Sequence, residues 1–339
     1  MRKALKILVG FTIIGLFLVG YLYLGVFQRK ISLGGKEISY FYIKSSDNIS
    51  DILSNLDSLK IVSEQSFKWL AELRSFGGNN IYPGRYSLHS SMTYSDLVVY
   101  FRSGQVDEVT VTFNNIRTLN QLAEKVAFQI EASYDELKNE FNNAKFYGFE
   151  STTFPAVFIP NTYKMYWAIS AKDFVKRMLF EHKKFWNKQR ASKAKKMGLT
   201  SVEVSILASI VQSEQMNYSD EWPTIAGLYL NRLQKDIKLQ SDPTVIYAWG
   251  DFSINRVYHK HLKIDSKYNT YKYRGLPPGP IRIPDTRVLD AVLNYEKHDY
   301  IFMCARPEFS GKHSFASTNA EHQKNAKKYQ AFLNKNNIR

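Results

Sequence analysis

Apolar positions cluster in two different ways along this chain. Residues 7–27, ILVGFTIIGLFLVGYLYLGVF, hold no charged side chain. Twenty-one residues as a helix span about 30 Å, one hydrocarbon thickness. After residue 30 the apolar positions become short and periodic. Residues 39–43 read as a strand. Ile49, Ile52, Leu53 and Leu56 recur at helical spacing, with Ser46 or Asp47 as the cap, and Phe67, Leu70 and Leu73 mark a helix over 63–73. Pro83-Gly84 signals a turn, Tyr86 and Leu88 alternate as in a strand, and 94–102 is helical again. These elements make one small α+β module over 38–103.

The next stretch has a coarser texture. Gly104-Gln105 begins a hairpin-like link, and 106–113 alternates as a strand. Leu122, Val126 and Ile130 form the stripe of a helix over 119–130, followed by a polar helix over 134–143. FPAVFIPNTYKMYW, 154–167, carries two prolines and five aromatics and predicts a packed loop with short strands. Residues 172–197 hold ten Lys or Arg against Asp173 and Glu181, a net charge of +8. Phe174, Met178, Phe185 and Trp186 give this stretch an apolar face, predicting a basic amphipathic helix. Its basic face is either ordinary solvated surface or a surface for anionic lipid or polymer.

Composition narrows the class. The 339 residues, 39.3 kDa, are 44% hydrophobic and 23% charged, which fits a folded chain of two or three domains. A single cysteine, Cys304, excludes an internal disulfide and a cysteine-rich metal site. Arg2, Lys3 and Lys6 precede the apolar run, and Arg29 and Lys30 follow it. The leading charges favour a cytoplasmic N-terminus with the body exported, and Tyr21 and Tyr23 suit the far interface. The competing reading is a cleaved signal peptide, but no small-residue cleavage site follows cleanly before Gln28. The net charge is +15. Nucleic acid is not the expected partner, because an exported body rarely meets it and no basic–aromatic interleaving appears.

One helix is chemically informative. Thr200 and Glu203 have the spacing of a capping box ahead of VSILASIVQSEQM. Leu207, Ile210 and Val211 form the apolar stripe, with Ser209, Gln212 and Ser213 on more polar positions. Glu214 stands on the stripe, four after Ile210 and three after Val211. A carboxylate there is a paired structural ion, a working acid, or an exposed helix end. Burial raises a carboxyl pKa, as a general acid for glycoside cleavage requires.

The residues downstream are suited to holding a sugar. A helix over 224–233 carries Ile225, Leu228, Tyr229 and Leu233. Asp242-Pro243 is a turn starter able to aim its carboxylate into a groove. Asn269 and Tyr271 precede GLPPGPI, 275–281, a rigid wall with two glycines and three prolines. Amides and tyrosine rings beside such a wall suit a glycan groove, or the segment is an ordinary long loop. Residues 300–304 predict a buried strand, and 313–333 a strand fragment, a loop and a closing helix. His298, His313 and His322 lack metal-ligand spacing, so no metal is expected.

Four ordered blocks, ILASIVQSEQ (206–215), LYLNRLQKDIKLQSDPTVIYAWG (228–250), YNTYKYRGLPPGPI (268–281) and HSFASTNAEH (313–322), resemble the YceG-like family. FIPNTYKMYW resembles its FPDTY segment, with Asn161 at the aspartate, and the 38–103 module resembles its LysM-like domain. The family's essential glutamate, in an IVEKET-like stretch, falls on Glu214. Gln212 and Gln215 replace the flanking glutamate and threonine.

The resemblance implies an α+β protein with an N-terminal transmembrane helix, a LysM-like module and a mixed α+β catalytic domain. The implied parts are a cytoplasmic tip and anchor (1–30), the module (38–103), a linking region with the basic helix (104–198) and a catalytic region (199–335). The implied activity is lytic transglycosylation of peptidoglycan without a cofactor: cleavage between N-acetylmuramic acid and N-acetylglucosamine, leaving 1,6-anhydro ends and limiting nascent strand length. Glu214 would be the acid and then the base, with Asp242, Asn269 and Tyr271 positioning substrate. The implied setting is the outer face of the cytoplasmic membrane, single-pass, with glycan strands and cell-wall synthesis proteins as partners. Two rivals remain: a hydrolytic muramidase using Glu203, Glu221 or Asp242 as water-activating base, and a membrane-anchored glycan-binding scaffold without catalysis.

Overall fold

The computed structural model describes residues 2–308 and 310–336. The apolar run is a helix, Arg2–Leu22, continued by a π-helical turn, Tyr23–Phe27. The 22 residues Lys6–Phe27 are long and apolar enough to cross a membrane, and their side chains are exposed rather than packed in a core. That exposure is unfavourable in water and natural in lipid.

The chain forms two compact units. The first comprises residues 1–111, 129–132 and 163–170. Strands β1 (Ile38–Ile43) and β2 (Gly84–His89) pair antiparallel, with Phe41 opposite Tyr86 and Ile43 opposite Gly84. Helices Ile49–Ser58 and Glu64–Leu73 lie between them in sequence, and Tyr94–Ser103 follows, a β-α-α-β-α order. Phe41, Ile52, Leu56, Phe67, Leu70 and Phe101 form the core. The first helix starts later than predicted. Its cap is Asn48, not Ser46 or Asp47, because Asn48 Oδ1 accepts from Ser50 N and Asp51 N while Asp51 Oδ2 accepts from Asn48 N. Pro83-Gly84 forms no turn: Gly84 opens β2 at φ +155°, and a Cβ there would strike Val106, so this position requires glycine.

The second unit comprises residues 112–128, 133–162 and 171–339. Strands β3 (Glu108–Phe113) and β4 (Asn161–Tyr166), whose residues divide between the two units, pair in a second sheet, and within this unit β5 (Phe302–Ala305) pairs antiparallel with β6 (His313–Ala316). The basic stretch is not one helix. It breaks at 186–187 into Ala171–Phe185 and Lys188–Lys196, where Asn187 accepts from Arg190 N at 3.0 Å and caps the second piece. Asp242-Pro243 is not a free turn but the start of a helix, Asp242–Trp249. Proline is tolerated there because first-turn amides lack intrahelical acceptors.

Helix Ser201–Glu214 lies at the centre of this unit. Thr200 and Glu203 form the expected capping box. The single-stripe reading fails, since Val204 through Val211 are all buried, Ser205 and Ser209 included. A helix buried all round needs neighbours on every side. They are helices Trp222–Gln234, Thr286–Leu293, Asp242–Trp249 and Lys188–Lys196. Leu207, Ile210, Val211, Ile225, Leu228, Val288 and Val292 fill the spaces between them.

Candidate active site

Two polar side chains tie the central helix to residues 281–285, the end of the proline-rich wall and the segment after it. Ser209 Oγ donates to Ile206 O at 2.7 Å and accepts from Ile281 N at 3.0 Å. Gln212 Oε1 accepts from Asp285 N at 2.9 Å, just before helix Thr286–Leu293. Within the wall, a Cβ on Gly279 would land on the carbonyl of Thr152, so only glycine allows this approach.

Glu214 is the last residue of the central helix. Its Oε1 accepts from Tyr229 Oη at 2.7 Å and from Ser241 Oγ. Among the described residues, Oε2 accepts no hydrogen bond. Burial pushes the carboxyl above its usual range. Ser241 and Tyr229 pull it back in part, the charge of Asp242 raises it, and His313 lowers it. The helix C-terminus also disfavours negative charge. One oxygen is therefore anchored, and the other is available to carry a proton.

Glu214 opens on a cavity of about 360 Å³ that is also lined by Tyr229, Arg232, Asp242, Tyr271, β5, His313 and His322. Strand β5, predicted as buried, is only half-buried, because one face looks into this cavity. Arg232 is buried without a carboxylate partner among the described residues. It donates to the carbonyls of Lys238 and Ile301 and to Gln240 Oε1, joining the 238–240 loop to the residue preceding β5. Burial lowers its pKa.

The predicted substrate residues are brought to the same place in different ways. Asp242 and Tyr271 both line the cavity, and Tyr271 Oη donates to Asp242 Oδ1. Asn269 is fully buried beneath them. Its Nδ2 donates to Leu262 O at 2.8 Å and Ile264 O at 2.9 Å, and its Oδ1 accepts from Tyr271 N at 3.1 Å. Asn269 thus sets the backbone that carries Tyr271. Sequence reasoning assigned no role here to Tyr229, Ser241, Arg232 or His313. Ser241 sits beside Asp242 and His313 opens HSFASTNAEH, but nothing local aims them at Glu214.

Three carboxylates were candidate partners of Glu214. Glu203 is eleven residues away along one helix, about 16 Å. That is beyond the separation at which two carboxylates share one glycosidic bond. Glu221 accepts from Gln215 Nε2 at 2.9 Å, His313 N at 2.9 Å and His313 Nδ1 at 2.9 Å. Its pKa lies below the usual range: burial raises it, but those hydrogen bonds together outweigh burial. Gln215 completes the latch by donating to Gly311 O and accepting from Asn217 N and Tyr218 N. Asp242 is the remaining acid, at the cavity wall. Among the described residues no three of His, Cys, Asp and Glu converge as metal ligands do.

The buried acid, the polar cavity and the proline-rich wall lie together in a mixed α and β framework. Residues 41–328 match the YceG-like family, and the chain belongs to that family. It is 30% identical over 317 residues to the endolytic murein transglycosylase of Bacillus subtilis, covering 85% of this chain and 83% of that one. It is 26% identical over 345 residues to the endolytic murein transglycosylase of Streptococcus pneumoniae D39, covering 90% of this chain and 61% of that longer protein. The crystal structure of a putative yceG-like protein from Listeria monocytogenes superposes with a TM-score of 0.55 at 28% identity, covering 86% of this chain and 99% of that one.

Proposed function

We propose that this protein is an endolytic lytic transglycosylase of peptidoglycan, cutting the β-1,4 bond from N-acetylmuramic acid to N-acetylglucosamine. The observation that carries the reading is Glu214: burial holds its carboxyl toward the neutral form, and one oxygen is left unbonded beside a polar cavity. Family membership and the names of the relatives support the same class.

In this mechanism protonated Glu214 donates to the glycosidic oxygen as the C1–O bond breaks. The resulting carboxylate accepts the proton of the muramoyl C6 hydroxyl, which bonds to C1 and closes the 1,6-anhydro ring. The nucleophile belongs to the substrate, so one carboxyl acts as acid and then as base. Tyr229 and Ser241 stabilise the intervening anion, and Asp242 and Tyr271 hold sugar hydroxyls. Asn269 acts through Tyr271. The β-α-α-β order of the first unit supports a LysM-like glycan-binding role for residues 38–103, and the apolar helix supports a single-pass anchor with the body outside the cytoplasmic membrane. There the enzyme would meet nascent strands and the proteins that make them, and limit strand length.

Intact peptidoglycan incubated with the full chain and with Glu214→Gln tests this reading. Mass spectrometry of the released ends should show muramoyl termini lighter by one water with the wild type alone. Free reducing ends would instead establish hydrolysis, with Asp242 as the candidate base. Absence of any cleavage by the membrane-embedded wild type would favour a binding scaffold.

A further inference from the structure

The chain neighbours of two site residues open on a second cavity. Glu214 and Asp242 line the first cavity, while Ser213 and Pro243 line another of about 160 Å³. Neighbouring residues of two segments, 213–214 and 242–243, are thus divided between the two cavities.

The second cavity is short of negative charge. Arg117 and Arg282 both line it, with Asn255, and no Asp or Glu does. Arg282 is only 2% exposed. Its guanidinium meets Met216 Sδ and Asn115 Oδ1, and its Nε is buried without a partner. Neither arginine forms an ion pair among the described residues. Arg117 lies over the Phe252 ring, 5.0 Å from its centre, within cation–π range. Burial first, and the nearby Arg117 charge second, pull Arg282 down to about 10. A buried guanidinium with no counter-charge is costly, and a second cation beside it adds repulsion. An anion entering between them would remove both penalties.

The walls narrow the choice of anion. Pro243, Ile246, Ile254 and Ile281 are apolar. A guanidinium pair takes a planar carboxylate in bidentate fashion, and apolar walls suit the short alkyl arm of an amino acid better than a bare phosphate. We propose that this cavity is a subsite for a carboxylate of the peptide carried by the muramoyl residue, held by Arg117 and Arg282 beside the bond cut at Glu214. The proposal rests on the glycan-cleaving reading and names the part of the substrate that this chain additionally recognises: strands bearing peptides with free carboxyl groups.

The test is a titration that needs no cleavage. Full-length protein carrying Glu214→Gln, in detergent, is titrated with soluble uncrosslinked strands bearing intact peptides, amidated peptides, or none. Amidation or removal of the peptide should weaken binding about tenfold. Arg117→Gln should take the same factor from intact strands and nothing from amidated ones, with Arg117→Lys between. Arg117 is exposed, so its variants should keep the parent melting temperature, whereas Arg282→Gln alters a buried site and is interpreted only if it melts normally. Equal binding of intact and amidated strands overturns the proposal, as does competition by inorganic pyrophosphate as strong as by the intact strand. Absence of anhydro ends with the wild type on every strand would instead sink the cleavage mechanism and leave the titration to judge the subsite.

Discussion

Tyr229 donates to Glu214 Oε1 across 2.7 Å, from the helix packed against the one that Glu214 ends. The bond joins two groups that burial drives in the same direction. The phenol is held well above its usual pKa by burial and by the neighbouring Glu214 charge, so it remains a donor. Its donation stabilises the ionised carboxylate and offsets part of the upward shift at Glu214.

Replacing the acid should remove cleavage and alter stability with opposite signs. Glu214→Gln is expected to lower kcat by about 10²–10⁴-fold. The folded carboxyl titrates above its unfolded value of 4.5, so its contribution to stability is full below that value and lost as pH rises through the folded pKa. The Gln variant should therefore melt higher than wild type at neutral pH and lose that advantage at about pH 4. Paired melting curves at the two pH values check this, and a lower melting point at neutral pH would contradict it.

Tyr229→Phe and Ser241→Ala each delete a donor that lowers the pKa of Glu214. The alkaline limb of the pH–rate profile, where the acid loses its proton, should move to higher pH in both. The maximal rate should change by less than about tenfold, far less than on loss of the acid itself. A profile unchanged in position would place these hydroxyls outside the proton-transfer step.

Asn269 and Tyr271 should separate stability from binding. Asn269→Ala leaves the carbonyls of Leu262 and Ile264 without their donor, which costs about 2–3 kcal/mol, or about 5–10 °C in Tm. Tyr271→Phe removes only the bond to Asp242 and should leave Tm nearly unchanged while raising KM for glycan strands. Calorimetry with steady-state kinetics on both variants distinguishes the two roles.

His182 sets an acid limit on stability. Burial lowers its pKa from 6.5 to about 4, and its Nε2 is buried without a partner among the described residues. Below pH 6.5 the unfolded chain gains a proton that the folded one refuses, so stability falls until about pH 4. The loss is at most about 3 kcal/mol. His182→Phe should flatten this limb in denaturant titrations between those pH values, and an unchanged slope would assign the limb to other groups.

The sequence by itself determined the features that depend on near neighbours in the chain. The uncharged run of 7–27 is long and apolar enough to cross a bilayer, which length and composition alone establish. The Thr200–Glu203 box closes within one turn, so its spacing was enough to start the central helix correctly. Counting on from Ile210 and Val211 placed Glu214 on a buried face. Where two local signals competed, the reading slipped: Asn48 outbid Ser46 and Asp47 as cap, Asn187 split the basic helix, and Pro243 began a helix rather than a turn. Tertiary structure alone decided what surrounds the acid. Tyr229 lies 15 residues from Glu214, Ser241 lies 27, and His313 reaches Glu221 across 92. Periodicity reports which face of an element is apolar, not which distant element will cover it. Only packing on every side of the central helix brings these side chains together, and that same packing buries Arg282 opposite no counter-charge.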